Sequence, residues 1–249
     1  MKELDLYNNN ISDISVLEKV KFEIEKLYLG GNEISNIKIL ENVNFKELKK
    51  LDLSNNNISD ISVLEKVKFE KLEKLYLANN KISNNINILE NVNFKELKEI
   101  DLANNNISDI NVLEKVKFEK LQKLNLRFNK ISNINILENV NFKELKELDL
   151  YENNISNISV LEKVKFEKLE KLNLGWNEIS NNINILENVN FKELKELYLS
   201  DNNISDISVL EKVKFEKLKV LNLSKNNIDR NKFSIIINNL KIKMFIFSI

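Results

Sequence analysis

The chain has 249 residues, in which 38 basic and 38 acidic side chains cancel and neither histidine nor cysteine occurs. The balanced charge argues against a nucleic-acid tract or an anionic-membrane patch. Without imidazole or thiol groups, Ser-His-Asp and Cys-His catalysis, imidazole or thiolate zinc sites and disulfide bonds are excluded.

A unit of 23 to 25 residues repeats about ten times, starting at residues 1, 24, 48, 72, 97, 121, 145, 169, 194 and 218. Each unit opens with L-x-x-L-x-L-x-x-N-x-I, as in LEKLYLANNKI from Leu72. Self-similarity at this period predicts a solenoid, because one unit alone cannot bury its apolar side and stacked neighbours share a continuous core.

The pattern within a unit predicts a strand, a turn and a short helical segment. Alternation in L-x-L places Leu75 and Leu77 inward and Tyr76 and Ala78 outward. After the Asn-rich turn, Ile61, Leu64 and Val67 recur three residues apart, as on one side of a helix. The S-x-x-E pairs predict capping boxes at Ser15/Glu18, Ser62/Glu65, Ser159/Glu162 and Ser208/Glu211.

The opening motif resembles a leucine-rich repeat, and the second half, I-S-D-I-x-x-L-E-x-V, is most similar to repeats of the phosphatase-regulatory and internalin-like type. The units are slightly longer than repeats of that type. The resemblance implies an α/β fold class: a curved right-handed coil with a parallel β-sheet on the concave face and short helical segments on the convex face. It also implies protein partners.

Two ladders are predicted to be structural. An asparagine at the ninth position can satisfy backbone groups at each turn, and a phenylalanine near the end of each unit should stack as a spine in the core. The asparagines are Asn9, Asn32, Asn56, Asn80, Asn105, Asn129, Asn153, Asn177, Asn202 and Asn226. The phenylalanines are Phe22, Phe45, Phe69, Phe94, Phe118, Phe142, Phe166, Phe191 and Phe215.

The pattern changes near the carboxyl end. We predict a solenoid over residues 1–228 and an atypical capping unit over 229–249, made of a helix-like segment and a last strand. In that strand Ile242, Phe245 and Phe247 would replace the three leucines of the motif. At the amino end Leu4 and Leu6 begin the first strand at once, which leaves self-association through the two ends open.

Cellular location is predicted from two absences. The chain lacks cysteine, and Met1 leads directly into the strand KELDLY without a signal peptide, so we expect a cytoplasmic protein, with secretion or delivery into a host left open. Abundant Asn, Lys and Ile beside no proline suggest a very AT-rich genome, a hypothesis that a coding sequence of ordinary GC content would refute.

Carboxylates recur at one outward strand position in alternate units: Asp5, Asp52, Asp101 and Asp149. Because alternate strands lie about 10 Å apart, two of these groups cannot share one calcium, and we expect a solvated acidic stripe. No metal, cofactor or enzyme activity is predicted. An enzyme would need an unrecognised carboxylate site such as Asp149 with Glu152.

The variation between units carries the strongest functional signal. Comparing residues 72–126 with 169–223 gives 11 differences in 55 positions, of which 8 fall among the 12 positions on the outward strand and turn. The opposite face is nearly identical. Diversification of one duplicated surface explains this better than drift, although uneven gene conversion could mimic it.

From the sixth unit onward this surface gains large side chains, whereas the early units carry mostly small or polar ones. Such aromatic and arginine side chains often carry binding energy at interfaces. The predicted site for a protein or peptide partner comprises Arg127, Phe128, Tyr151, Glu152, Trp176, Tyr198 and Asp201. In the alternative interpretation Trp176 packs on Phe128 and Tyr151 merely to brace the strands.

Overall fold

The strands follow one another at the predicted period. The computed structural model describes residues 2–243 and 246–248, and of Asn84, Asn181, 241–243 and 246–248 it describes the backbone. The strands in these ranges are β1 (Glu3–Asp5), β2 (Lys26–Tyr28), β3 (Lys50–Asp52), β4 (Lys74–Tyr76), β5 (Glu99–Asp101), β6 (Lys123–Asn125), β7 (Glu147–Asp149), β8 (Lys171–Asn173), β9 (Glu196–Tyr198), β10 (Val220–Asn222) and β11 (Ile246–Ser248).

Short 3₁₀ helices connect the strands. They span Ser15–Lys19, Lys38–Glu41, Ser62–Glu65, Ser83–Glu90, Asn111–Glu114, Asn135–Glu138, Ser159–Glu162, Asn181–Glu187 and Ser208–Glu211. A 3₁₀ helix has three residues per turn, which explains why the apolar residues recur every third position. After β10 an α-helix, α1 (Ser234–Lys243), takes the place of the 3₁₀ helix.

All the strands join one parallel sheet in sequence order, from β1 to β11. Equivalent residues face each other, so Leu51 aligns with Leu27 on one side and Leu75 on the other. These leucines are fully buried between the sheet and the 3₁₀ helices. The predicted solenoid architecture is confirmed.

The predicted capping boxes are wrong. The residue before the helix at Ser62 is Ile61, and its side chain makes no capping hydrogen bond. Instead the Ser62 N–H donates to Asp60 Oδ1 at 2.8 Å, a bond repeated by Asp13, Asn157 and Asp206 two residues before their serines. Because serine is already the first helical residue, the cap lies two positions earlier.

The phenylalanine spine forms as predicted except at its ends. From Phe45 to Phe191 the ladder is buried in the core, whereas Phe22 is 39% exposed and Phe215 is half-buried. An interior phenylalanine packs between two neighbouring units. Phe22 belongs to the first described unit and has one such neighbour, so its predicted burial is wrong.

From Asn32 to Asn226, the asparagine ladder bonds each unit to the one before it. The Asn153 Nδ2 donates to the carbonyl oxygens of Leu126, Leu150 and Tyr151 at 3.1 to 3.3 Å. Its Oδ1 accepts the N–H of Ile131 at 3.0 Å. One buried side chain thus satisfies four backbone groups, two of them in the preceding unit, as the sequence predicts.

The last strand differs in register from the prediction. Phe247 aligns with Leu221, the fourth residue of its unit, and not with the sixth. Ile242 lies within α1, and Phe245 lies outside the described residues. The longer α-helix uses residues that the repeat pattern would assign to a strand. None of the helices in the described chain is long and apolar enough to cross a membrane.

We expect Asn153→Ala to lower the free energy of unfolding by at least about 2 kcal/mol, because each buried backbone group left without a partner costs about 1–3 kcal/mol. Urea denaturation followed by circular dichroism would measure the loss. Asn9→Ala is the matched control, since the Asn9 Nδ2 is exposed and reaches one carbonyl, that of Tyr7. Equal losses in the two variants would contradict the bridging role.

Candidate functional site

The predicted site lies where β6 to β9 run into their turns, on the outward side of the sheet. The strand spacing of about 4.8 Å brings side chains from successive units within reach of one another. Arg127 and Phe128 come just after β6, Tyr151 and Glu152 after β7, Trp176 after β8, and Tyr198 ends β9, with Asp201 in the following turn.

Phe128, Tyr151 and Trp176 form a continuous aromatic patch. The ring centroids of Phe128 and Tyr151 are 5.5 Å apart, and those of Tyr151 and Trp176 are 6.1 Å apart. Both contacts are edge-to-face, the arrangement that aromatic quadrupoles favour. Trp176 nevertheless remains 50% exposed, so much of its apolar surface faces solvent.

Arg127 lies over one end of the aromatic patch. Its guanidinium carbon is 4.4 Å from the ring centroid of Phe128 and 5.6 Å from that of Tyr151. Such contacts are attractive because a cation faces the negative ring surface. The Arg127 Nε is buried, and no described residue accepts its hydrogen bond, so this donor is left unsatisfied.

The eighth position of each unit has a left-handed backbone, which a side chain with a Cβ adopts at a cost. Earlier units place asparagine or glycine there, the residues that tolerate this conformation best. From the sixth unit onward bulky or charged side chains replace them at φ values of 52° to 56°. These residues are Phe128, Glu152, Trp176, Asp201 and Lys225.

Gly175 makes room for the aromatic patch. A Cβ at this position would lie 3.1 Å from Tyr151 Cδ2 and 3.1 Å from Ser200 Oγ. Gly30 stands in the same relation to Tyr7, whose Cε2 would be 2.9 Å from an added Cβ. In both places a glycine lets the tyrosine of the preceding unit lie across the sheet.

Lys225 is a member of the site that the sequence prediction missed. Its Nζ is 3.1 Å from Asp201 Oδ1 and 5.9 Å from the ring centroid of Trp176. Lys225 occupies the eighth position of its unit, where the early units have asparagine or glycine. This departure from the repeat is the sequence signal that could have identified it as a site residue. Lys225 therefore connects Asp201 to Trp176 of the aromatic patch.

The structure joins some predicted residues and not others. Arg127 and the aromatic patch are in direct contact, and Asp201 connects to them through Lys225. Tyr198 belongs to a separate cluster, since its hydroxyl donates to Glu196 at 3.0 Å and Lys171 lies 5.3 Å from its ring centroid. Burial raises the pKa of Tyr151, and the charges of Glu152 and Asp201 raise it further.

The predicted solvated acidic stripe is partly wrong. Asp52, Asp101 and Asp149 are half-buried, and each accepts the backbone N–H two residues later at 2.9 to 3.0 Å. These aspartates therefore close the turns after their strands, and burial raises the pKa of Asp101. Within the described residues no three Asp or Glu side chains converge as a metal site would require.

A second cluster in the early units was also missed. The Nζ of Lys50 lies 4.7 Å from the ring centroids of both Tyr28 and Tyr76. The gradient from small to aromatic side chains is therefore incomplete, because Tyr7, Tyr28 and Tyr76 all lie on the strand face, the outward side of the sheet. The signal in the sequence was tyrosine at the fifth position of alternate units.

The comparisons with known proteins identify the family. A family model described as leucine-rich repeats in two copies matches residues 22–66, 70–115, 95–144 and 192–234, and a second leucine-rich repeat model matches 167–183. The chain belongs to the leucine-rich repeat family. Among curated protein sequences none matches.

Solved leucine-rich repeat structures share this fold. An internalin, inlF, from Listeria monocytogenes is 24% identical with a TM-score of 0.61, covering 99% of this chain and 80% of its own. Internalin C2 of the same species is 25% identical with a TM-score of 0.65, covering 82% and 80%. The FLRT2 repeat domain in an octameric complex with Latrophilin 3 and Unc5D is 24% identical with a TM-score of 0.71, covering 94% and 72%. None of these matches indicates a catalytic family.

We expect Glu152→Asn to raise the free energy of unfolding by about 0.5–1 kcal/mol, because asparagine relieves strain at a left-handed position. The reciprocal change, Asn55→Glu at φ 54° in the third unit, should lower it by a similar amount. Urea denaturation of the two variants beside the native chain measures both shifts. A loss of stability in Glu152→Asn would contradict the strain argument.

Proposed function

We propose that the chain is a non-catalytic recognition module that binds a protein or peptide on its strand face, anchored by Arg127 and the aromatic patch. The observation that carries this proposal is the choice of residue at the eighth position. Phe128, Glu152 and Trp176 hold left-handed backbones at the position where the first five units use asparagine or glycine. A residue that strains the fold is best explained by a role outside the fold.

Exposure of the aromatic patch supports the same proposal. Trp176 is half-exposed although full burial of so large a side chain would contribute about 2 kcal/mol or more. Aromatic and arginine anchors of this kind carry much of the binding energy at protein interfaces. A partner that covered Trp176 would bury this exposed apolar surface.

Rigidity makes the strand face suitable for recognition. The buried asparagine bonds and the parallel sheet fix the backbone on which the anchor stands, so little ordering is required when a partner binds. The leucine-rich repeat neighbour FLRT2 occurs in an assembly with two other proteins, which supports a protein partner here as well. No catalytic step is needed in this account.

The first test is capture of partners from lysate of the source organism or its host, comparing the native chain with the double variant Tyr151→Ala/Trp176→Ala. A captured partner, once purified, should bind the double variant at least about 30-fold more weakly, as loss of about 2 kcal/mol requires. Calorimetry or biolayer interferometry would measure the affinity. Circular dichroism and urea denaturation of both chains would exclude unfolding.

Tyr7→Ala is the matched control, because Tyr7 is also 50% exposed and also lies across a glycine, in the first unit. We expect its affinity to stay within two-fold of the native value. If the double variant unfolds more easily but binds equally well, the aromatic patch braces the strands and the proposed anchor is wrong.

Self-association remains the second candidate because the first described unit exposes apolar side chains. Val16 is 62% exposed and Phe22 is 39% exposed, and β1 has one strand neighbour in the sheet. If the ends pair, the mass measured by light scattering should rise with concentration, and Phe22→Ser should suppress the rise. A constant monomer mass at all concentrations would eliminate this candidate.

A further inference from the structure

Charge alternates along the third position of the units, which lies on the strand face. Where the alternation holds, each lysine faces a glutamate of a neighbouring strand. The ion pairs are Lys26–Glu3 at 3.1 Å, Lys74–Glu99 at 2.8 Å, Lys123–Glu147 at 2.7 Å and Lys171–Glu196 at 3.4 Å. Such cross-strand pairs help to hold neighbouring strands together.

Lys50 breaks this alternation. It aligns with Lys26 on β2 and Lys74 on β4, so three lysines stand side by side on adjacent strands. The two outer lysines already pair with Glu3 and Glu99. Lys50 forms no ion pair with any described residue, and like charges on neighbouring strands are destabilising.

The tyrosines on either side hold the Lys50 ammonium group in place. Its Nζ lies 4.7 Å from the ring centroids of Tyr28 and Tyr76, both half-buried on the strand face. Two cation–π contacts limit the freedom of a flexible side chain. No carboxylate of the described residues lies within ion-pair distance of the Lys50 Nζ, so an anion from outside would complete the site.

We propose that Lys50, with Tyr28 and Tyr76, binds a single acidic side chain of a protein or peptide partner, an inference that rests on the proposed recognition function. Lys50 is one cation without an ion-pair partner among the described residues, so it can pair with one carboxylate. Asp52 lies between the two tyrosines in register, and its charge would repel a polyanion. The local charge therefore favours an acidic peptide over a nucleic acid.

The position of this site limits how a partner crosses the sheet. β3 and the aromatic patch's β7 are four strand spacings apart, which is about 19 Å at about 4.8 Å per strand. An extended peptide covers that distance in about six residues at about 3.3 Å each. A segment running across the strands could place an acidic residue on Lys50 and an apolar residue on Tyr151, which follows β7.

Lys50→Glu is a sharp test because it restores the alternation of the repeat. The new glutamate would face Lys26 and Lys74, so we expect the fold to be retained while the charge of the site is reversed. Lys68→Glu is the matched control, since it makes the same charge change at an exposed position behind the helix of the same unit. Urea denaturation of both variants establishes their stability.

The probe is a phage-displayed library of random 12-residue peptides, selected separately on the native chain, Lys50→Glu, Lys68→Glu and Tyr151→Ala/Trp176→Ala. Native selections should be enriched in Asp and Glu relative to the starting library. The best native peptide, made synthetically, should bind Lys50→Glu at least ten-fold more weakly and Lys68→Glu within two-fold. Changing its acidic residue to the amide should give the same ten-fold loss.

The outcomes separate this inference from the proposed function. Loss of binding in Lys50→Glu supports the acidic site whether or not the aromatic double variant also loses binding. Loss in the aromatic variant alone supports the aromatic anchor and overturns the acidic site. Equal binding of acidic peptides to Lys50→Glu, no acidic enrichment, or recovery of no peptide by the native chain also overturns it.

Discussion

The fold depends on one buried amide per unit. A solenoid must turn the backbone sharply after every strand, and each turn leaves carbonyl and N–H groups inside, where no water reaches them. The ladder asparagine resolves this for two units at once. Asn105, which is fully buried, donates to carbonyls of Leu77, Leu102 and Ala103, and so ties its own turn to the preceding one. Leucines and phenylalanines supply most of the apolar burial, but the asparagines fix the stacking.

A fixed turn separates the residues that build the core from those that point outward on the sheet. Leu75 and Leu77 point inward, whereas Tyr76 points outward, so the outward side chain can change without touching the core. Of the 11 differences between the duplicated segments, 8 fall on the outward strand and turn positions. The outward positions still constrain one another. The ring of Tyr151 occupies the space that a side chain at Gly175 would need.

The sequence predicts the repeated features well because repetition supplies many copies of each pattern. The inward and outward alternation of strand side chains, the asparagine bonds and most of the phenylalanine spine follow from the spacing of residues in the repeat. At the two ends this reasoning fails. Among the described residues Phe22 has one neighbouring unit to pack against. Phe247 aligns with Leu221 because α1 extends to Lys243 and the last strand begins after it. Contacts between units, such as Lys225 with Trp176, depend on side-chain direction and distance, which a repeat alignment does not contain.

Backbone conformation is a property that the sequence pattern does not show, and it is the main support for the proposed function. The eighth position looks like any variable turn residue until its positive φ is known. Phe128 and Trp176 are then seen to conflict with the local backbone, whereas Asn55 and Asn79 suit it. Lys50 also departs from its pattern, because the alternation of lysine and glutamate at the third position of the units would place a glutamate there. Both conflicts occur on the strand face, in a chain whose core residues follow the repeat closely. Stability alone would have favoured asparagine and glutamate at these places, so a requirement from outside the fold is the more economical explanation.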